Sequence, residues 1–511
     1  MQYSRKCFEC GEKKVAKQHV DCLFINPGSL SEVYQTLGNE YCAIEPPSLA
    51  ALFATYVRNK GASVAMIDAP ALQLSPSQVA AFIEENYNPT LIVVVVYGFQ
   101  PSASTQNMPA AGKTCLEIKT RNPQYKILMT GTHVAALPER TLKEEEVDFV
   151  CSQEGPQTIW GVLEILKARG SDFSQVPSLV YYQNNVLIST PKGPLLEDIS
   201  TCMPGAAWDL LPMDRYRAHN WHCFEDIHHR SPYASMHTSL GCPYRCTFCC
   251  INAPFGGSSY RLWKPEVVLQ DIDLLVNKYG VKNIKFVDEM FVLNPKHVNG
   301  ICDLLIERNY GLNIWAYARV DTVREQFLEK LYKAGFRWLA LGIESGSKHV
   351  RDGVEKGRFG SEDILRVVRM IQNAGMNVIG NYIFGLPDDT HESMGETLQL
   401  ALDANCEFAN FYCAMAYPGS KLYALAQENH WALPDNWLGY SQHSFNTQPL
   451  RTETLSAAEV VAFRDAAFHK YFSHPNYLSL VRKKFGEDVL HHIEEMNKIK
   501  LRRKLLEEAC V

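Results

Sequence analysis

The chain has 511 residues, of which 46% are hydrophobic and 21% charged, with a formal net charge of −6. That length suggests about two to four domains, in a globular protein with a sizeable core, and offers no broad basic field to nucleic acid or an anionic membrane. The longest apolar run, "LIVVVVYGF" at Leu91–Phe99, is far shorter than the roughly 18 to 20 residues of a membrane span, and the start "MQYSRKCFECGEKK" has no apolar signal core, so the cytoplasm is the expected compartment.

Residues 1–18 read as an N-terminal extension, with Cys7 and Cys10 as half a metal clip or as nothing. From 19 to 176 the pattern alternates strand and helix. "VDCLFINP" is a strand and "SLAALFATYVRNKG" a helix. "ASVAMIDAP" is a strand, and "SPSQVAAFIEENYNP" a helix opened by Ser75 with Pro76 just inside. "LIVVVVYG" has the unbroken apolar character of a strand buried on both faces. A helix at "NMPAAGKTCLEIKTRNP", a strand at "YKILMTG", a short helix at "ALPERTLKEE", a strand at "VDFVCSQEG" and a helix at "PQTIWGVLEILKARG" complete five units. The expected fold class is α/β, opening with a doubly wound parallel sheet. Ligands bind beyond the C-terminal strand ends of such sheets. Those ends carry Asn26, Gly28, Gly98, Gly131, Thr132, His133, Glu154 and Gly155, which read equally well as ordinary turn residues.

Residues 177–232 form a hairpin turning at Asn184–Asn185 and a proline-rich linker. From 233 to 419, six strand–helix repeats at about 30-residue spacing suggest a partial barrel, whose active groups gather at the C-terminal strand ends. Those ends are a cysteine loop, Asp288–Glu289, Arg319–Asp321, Glu344–Ser345 and Gly385–Pro387. Singly, Arg319 or Asp321 reads as well as a structural ion pair. Residues 420–511 are mostly polar and helical, with Ser456 a candidate N-cap. Cys250, Cys406, Cys413, Trp208, Trp315 and Trp338 are expected in the core.

The cysteine loop, "SLGCPYRCTFCC", sets Cys242, Cys246 and Cys249 in a C-x3-C-x2-C spacing. A cytosolic chain seldom spends cysteines on disulfides. A structural zinc site wants four ligands, and this loop offers three, because Cys250 cannot readily serve beside Cys249. An iron–sulfur cube on three thiolates leaves one iron open to a substrate or cofactor. The residues alone therefore favour a cluster over zinc, and zinc over free thiols.

"CPYRCTFC" resembles the signature of the radical S-adenosylmethionine (SAM) superfamily, and "FVDEMF", "ARVD", "GIESGS" and "GNYIFGLP" follow in that family's order. The resemblance implies a 4Fe–4S cluster on Cys242, Cys246 and Cys249, with SAM chelating the fourth iron. It places Phe248 and the Ile383–Gly385 backbone near the adenine. Glu344 and Ser345 would hold the methionine or ribose part and Arg319 would lie near the carboxylate. Asp288 and Glu289 stand where a contact to the SAM amino group is common. The preceding domain, with "TGTHVAALPE" and "SQEGPQTIWGVLE", resembles the cobalamin-binding domain of B12-dependent members, which implies that Asn26, Gly98, Gly131, Thr132, His133, Glu154 and Gly155 border cobalamin. No D-x-H-x-x-G motif supplies a histidine to cobalt, as is usual in these members. The implied activity is methyl transfer to an unactivated carbon of a small molecule or peptide, through a 5′-deoxyadenosyl radical and methylcobalamin. A low-potential donor such as flavodoxin or ferredoxin would feed it. Cyclisation or oxidation without methyl transfer is the alternative within the class, and a non-catalytic zinc or thiol interaction protein the alternative outside it.

Overall fold

Strand β1 (Gln18–Asn26) is an interior strand of the first sheet, with the apolar run Leu23–Ile25 fully buried. It pairs in parallel with β2 (Val64–Asp68) and β3 (Tyr87–Val96). Then β4 (Ile127–Gly131) and β5 (Phe149–Cys151) follow, also parallel. The hairpin of β6 (Leu179–Gln183) and β7 (Val186–Ser189) adds antiparallel to β5, giving the order β2-β1-β3-β4-β5-β6-β7. The turn at Asn184 and Asn185 lies where it was expected, both residues at positive φ, as a two-residue hairpin turn of matching twist demands. The hairpin is thus an edge of this sheet and not part of a free connection. The computed structural model describes residues 17–98, 101–357 and 359–508; Cys7 and Cys10 lie outside them.

Local signals account for most of the helices. Ser75 caps Pro76–Asn86 in a reciprocal box with Gln78, and Ser456 caps Ala457–Phe472 with Glu459. One expectation fails: the helix expected from Asn107 runs Pro101–Arg121, with Pro109 inside it.

The second sheet is wholly parallel and curved. After β8 (Tyr233–Met236) a short ladder of β9 (Ser239–Leu240) and β10 (Arg261–Leu262) flanks the cysteine loop. The sheet continues with β11 (Asn283–Phe286), β12 (Asn313–Arg319), β13 (Phe336–Glu344), β14 (Asn377–Phe384) and β15 (Phe408–Cys413), in the order β15-β14-β13-β12-β11-β8. Helices such as Pro265–Tyr279, Pro295–Arg308 and Ser361–Asn373 cover its outside. No helix among the described residues is long and apolar enough to cross a membrane.

The two sheets are locked together by segment 41–48, which follows β1, and by the chain before β8. Ile44 forms a backbone bridge with Arg217. Ser48 Oγ lies 3.1 Å from His237 Nδ1, and Glu45 pairs with Lys285 of β11 at 3.1 Å with both side chains buried. Asp68, at the end of β2, accepts from Tyr216 Oη at 2.7 Å and from Asn26 Nδ2 at 2.9 Å. Burial pushes the Asp68 carboxyl up to about 6, although both bonds favour its charged form. A raised carboxylate opposes folding increasingly as pH climbs from the unfolded value through about 6. Tyr216→Phe should therefore destabilise the protein by about 1–3 kcal/mol at about pH 8 and by less at about pH 5, where Asp68 is already protonated, read by denaturant unfolding at the two pH values.

Candidate active site

The cysteine loop leaves β9 through Gly241, whose φ is +82° and where a Cβ would meet the Ser259 carbonyl oxygen at 2.5 Å. Only glycine makes that turn against that neighbour. Asn252 then staples the loop: its Oδ1 accepts from Cys242 N at 3.2 Å, and its Nδ2 donates to the Cys242 and Tyr244 carbonyls at 3.0 and 3.2 Å. Cys242, Cys246 and Cys249 line one cavity of about 220 Å³ at the C-terminal end of the barrel sheet, and Cys250, although buried, does not line it. Among the described residues no three His, Cys, Asp or Glu side chains are arranged to hold a single metal ion. Thiols spread around a cavity suit a cluster better than a tetrahedral zinc site. Burial pushes the Cys242 thiol up to about 11 and Cys249 well above its ordinary value, so thiolates here need positive charge beside them.

Two cations stand at that cavity. Arg319, ending β12, is clamped by Asp321 through Nε–Oδ1 at 2.9 Å and Nη2–Oδ2 at 3.0 Å. Its Nη1 lies 3.6 Å from Cys246 Sγ, and its guanidinium covers the Tyr244 ring at 3.9 Å. The ion pair with Asp321 is thus real, and it aims Arg319 at the cavity. Lys356, which the sequence reading missed, pairs with Glu344 at 2.5 Å, both side chains buried. Burial works against its charge, yet the Glu344 carboxylate holds the ammonium above its ordinary range. Glu344 reaches inward from a register shift in the β13–β14 pairing, at φ +67°. Gly342 makes room for the pair, since a Cβ there would sit 2.5 Å from Lys356 Nζ.

Of the other expected SAM contacts, Phe248, Glu289 and Ile383 line this cavity, and Asp288, Ser345 and Gly385 do not. Asp288 is turned back onto Thr238, accepting its backbone N–H at 2.6 Å and its hydroxyl. Ser345 Oγ is held 3.1 Å from Thr397 Oγ1 in the interior. Gly385 packs on Val460, its N–H donated to Asp389 Oδ2 at 2.9 Å.

At the C-terminal edge of the first sheet, Asn26, Gly28, Gly98 and Ala103 line a cavity of about 90 Å³. Gly98 and Thr132 also line a cavity of about 40 Å³ that reaches Asp288 and Glu289 of the barrel. Small side chains at Gly28, Gly98 and Ala103 suit a flat ring lying on the edge. As they stand these cavities are too small for a corrin, and admitting one requires the interface to open. Four of the expected cobalamin contacts are engaged elsewhere. His133 is buried with Nδ1 3.2 Å from Thr105 Oγ1 and its ring edge-on to Trp437 at 4.4 Å; burial, with help from Arg140, pushes its pKa down to about 3. Its Nδ1 is thus taken up by Thr105. Glu154 pairs with Arg261 at 2.8 Å and accepts from Leu196 N at 3.1 Å. Gly131 and Gly155 are packed against Val96 and Phe53.

A third cavity, of about 180 Å³, occupies the barrel interior. It shares Tyr34, Glu45 and His219 with the 90 Å³ cavity at the first sheet's edge. It shares Tyr317, Asn381 and Tyr412 with the cysteine cavity.

Comparison with known proteins now gives the class. Residues 236–401 match the model of the radical SAM superfamily, and residues 36–163 match the B12 binding domain. The chain carries a B12-binding domain followed by a radical SAM domain. Within that class it is methyltransferase-like. It is 28% identical over 82% of its length to an uncharacterized methyltransferase of Pyrococcus horikoshii, covering 86% of that protein. It is 25% identical over 89% of its length to the anaerobic magnesium-protoporphyrin IX monomethyl ester cyclase of Rubrivivax gelatinosus, covering 78% of it. In fold it is similar to the radical SAM methyltransferase TsrM of Kitasatospora setae, solved with cobalamin and a 4Fe–4S cluster (TM-score 0.67, 15% identity, 94% of this chain and 100% of that one). It is also similar to the cobalamin-dependent radical SAM enzyme OxsB, solved with aqua-cobalamin and SAM (TM-score 0.69, 15% identity, 94% and 71%). The cofactors of the class are a 4Fe–4S cluster, SAM and cobalamin.

Two outcomes follow from this geometry. Cys246→Ala should lose most of the iron and visible absorbance of anaerobically reconstituted protein, whereas Cys250→Ala should keep both. Lys356→Met should cost about 3–5 kcal/mol in chemical unfolding by stranding the Glu344 carboxylate. Adding Glu344→Gln should restore most of that loss, as a double-mutant cycle would read.

Proposed function

We propose that this enzyme transfers a methyl group from SAM to an unactivated carbon of a small molecule. The observation that carries the reading is the succession of three adjoining cavities: the C-terminal edge of the first sheet, the barrel interior and the cysteine cavity, each sharing wall residues with the next. A methyl carrier, a substrate and a radical source placed in that order would meet without leaving the protein. When bound, the cluster supplies the electron that opens the SAM sulfonium, and cobalamin carries the methyl group.

In this reading Cys242, Cys246 and Cys249 hold the cluster. Arg319 and the Lys356–Glu344 pair orient the charged methionine end of SAM, with Arg319 on its carboxylate. Phe248 and Ile383 pack against its adenine from one apolar patch with Val350 and Leu386. Asn26, Gly98 and Thr132 border cobalamin. Tyr317, Asn381 and Tyr412 divide SAM from substrate and fix how closely the two approach. Holding reactants at contact distance in this way can lower the barrier by about 7–11 kcal/mol. A cytoplasmic flavodoxin or ferredoxin of low potential would deliver the electron.

Similarity to a cyclase keeps ring formation as the second reading. Product ratios separate them. Under reducing conditions with substrate, methyl transfer should give S-adenosylhomocysteine and 5′-deoxyadenosine in comparable amounts. Deoxyadenosine released without S-adenosylhomocysteine would reject methyl transfer and favour cyclisation or oxidation.

A further inference from the structure

The barrel-interior cavity has a composition that narrows its occupant, given the proposal that it lies between methyl carrier and SAM. Its faces are aromatic. Trp221 rises from the turn before β8 and meets Trp315 edge-on at 5.1 Å, and Tyr34, Tyr317 and Phe411 complete the walls. Aromatic walls favour flat rings, which gain from stacked and edge contacts beyond area burial alone.

The charges do not cancel. Glu45 and Lys285 pair across the cavity at 3.1 Å, and Lys285 Nζ also lies 5.0 Å from the Trp315 ring centre. Arg464 is also buried and lines the cavity. It donates through Nε to the Phe411 carbonyl at 2.7 Å and through Nη1 to Asp465 at 2.7 Å. Asp465 is shared with Arg503, which sits 2.8 Å away. Of the charged side chains that line the cavity, two are cations (Lys285, Arg464) and one is a carboxylate (Glu45), and behind the wall Asp465 is divided between Arg464 and Arg503. The two histidines on the cavity respond to that field. His443, 3.3 Å from Arg464 Nη2, is held well below its ordinary pKa by burial and then by Arg464 and Arg503. His219 is lowered by burial, with Lys285 and Arg230 adding to it against the pull of Glu45. Both therefore stay neutral and add no positive charge of their own.

Size sets the last limit. At about 180 Å³ the cavity lies below the range of about 300–1,000 Å³ typical of drug-sized ligand pockets. We infer that the substrate is a small planar aromatic acid of one or two rings, its ring between Trp221, Trp315 and Tyr34 and its carboxylate towards Arg464 and His443. As it stands the cavity does not admit a tetrapyrrole. Recognition of the acid uses the charge-assisted bonds a guanidinium makes, and the ring brings the reacting carbon to the boundary at Tyr317 and Tyr412.

Calorimetry on the anaerobic holoenzyme, with SAM and without reductant, tests this using 2-naphthoate, its neutral amide, its fully saturated analogue and a magnesium porphyrin. The acid should bind about tenfold or more tightly than the amide and the saturated acid. Arg464→Gln should erase the preference for acid over amide. Ala340→Leu, which fills the cavity without removing a polar contact, should weaken the acid by about tenfold or more. Equal binding of acid and amide, equal binding of the flat and saturated acids, a tight porphyrin complex or an Ala340→Leu variant that binds normally would each overturn the assignment. Because binding is read without turnover, failure here leaves the product-ratio test of methyl transfer intact, and failure of that test leaves this one intact.

Discussion

The site depends on one constraint: a loop carrying three thiols must be held open at the mouth of the barrel. Burial pushes the Cys242 and Cys249 thiols up, and a flexible loop would let all three scatter. Asn252 prevents the scatter by satisfying backbone groups of Cys242 and Tyr244 at once. Gly241 sets the angle at which the loop leaves the sheet, and the β9–β10 ladder returns the chain to the barrel wall. Arg319 is then clamped by Asp321 so that its remaining edge faces Cys246. Each contact is modest alone. Together they place three thiolate precursors, a guanidinium and an ammonium around one cavity before any cofactor arrives.

The second requirement is that two sheets meet at their C-terminal edges. Segment 41–48 does this through the buried Glu45–Lys285 pair, the Ile44–Arg217 bridge and the Ser48–His237 contact. Burying an ion pair gains little net stability, because desolvation offsets the attraction. Its effect is on register: a neighbouring alignment would strand a charge in the core. That alignment lets the three cavities share walls.

Much of the fold was legible because the signals are local. The apolar run at Leu91–Val96 has no polar alternation and lies buried in the middle of the first sheet. Ser75 and Ser456 announce helix starts through capping chemistry that acts over four residues. The cysteine spacing is local too, and all three thiols border the same cavity. What escaped is long-range. Lys356 sits in a turn with no motif of its own, and only folding brings it to Glu344. Glu45 and Lys285 are 240 positions apart. Strand ends named residues near the first sheet's edge without saying which way they point. His133 and Glu154 are as polar as any ligand, yet packing assigns one to Thr105 and Trp437 and the other to Arg261. Asp288 and Glu289 are neighbours just past β11, where no strand alternation fixes their directions, and of the two only Glu289 meets the cysteine cavity.

Quantifying metal, sulfide and corrinoid on one anaerobically purified sample tests the central claim most directly. A cluster on three thiolates beside a B12-binding domain predicts about four iron and four sulfide per chain, with close to one cobalamin after loading. Protein that holds stoichiometric zinc with neither iron nor labile sulfide would contradict it.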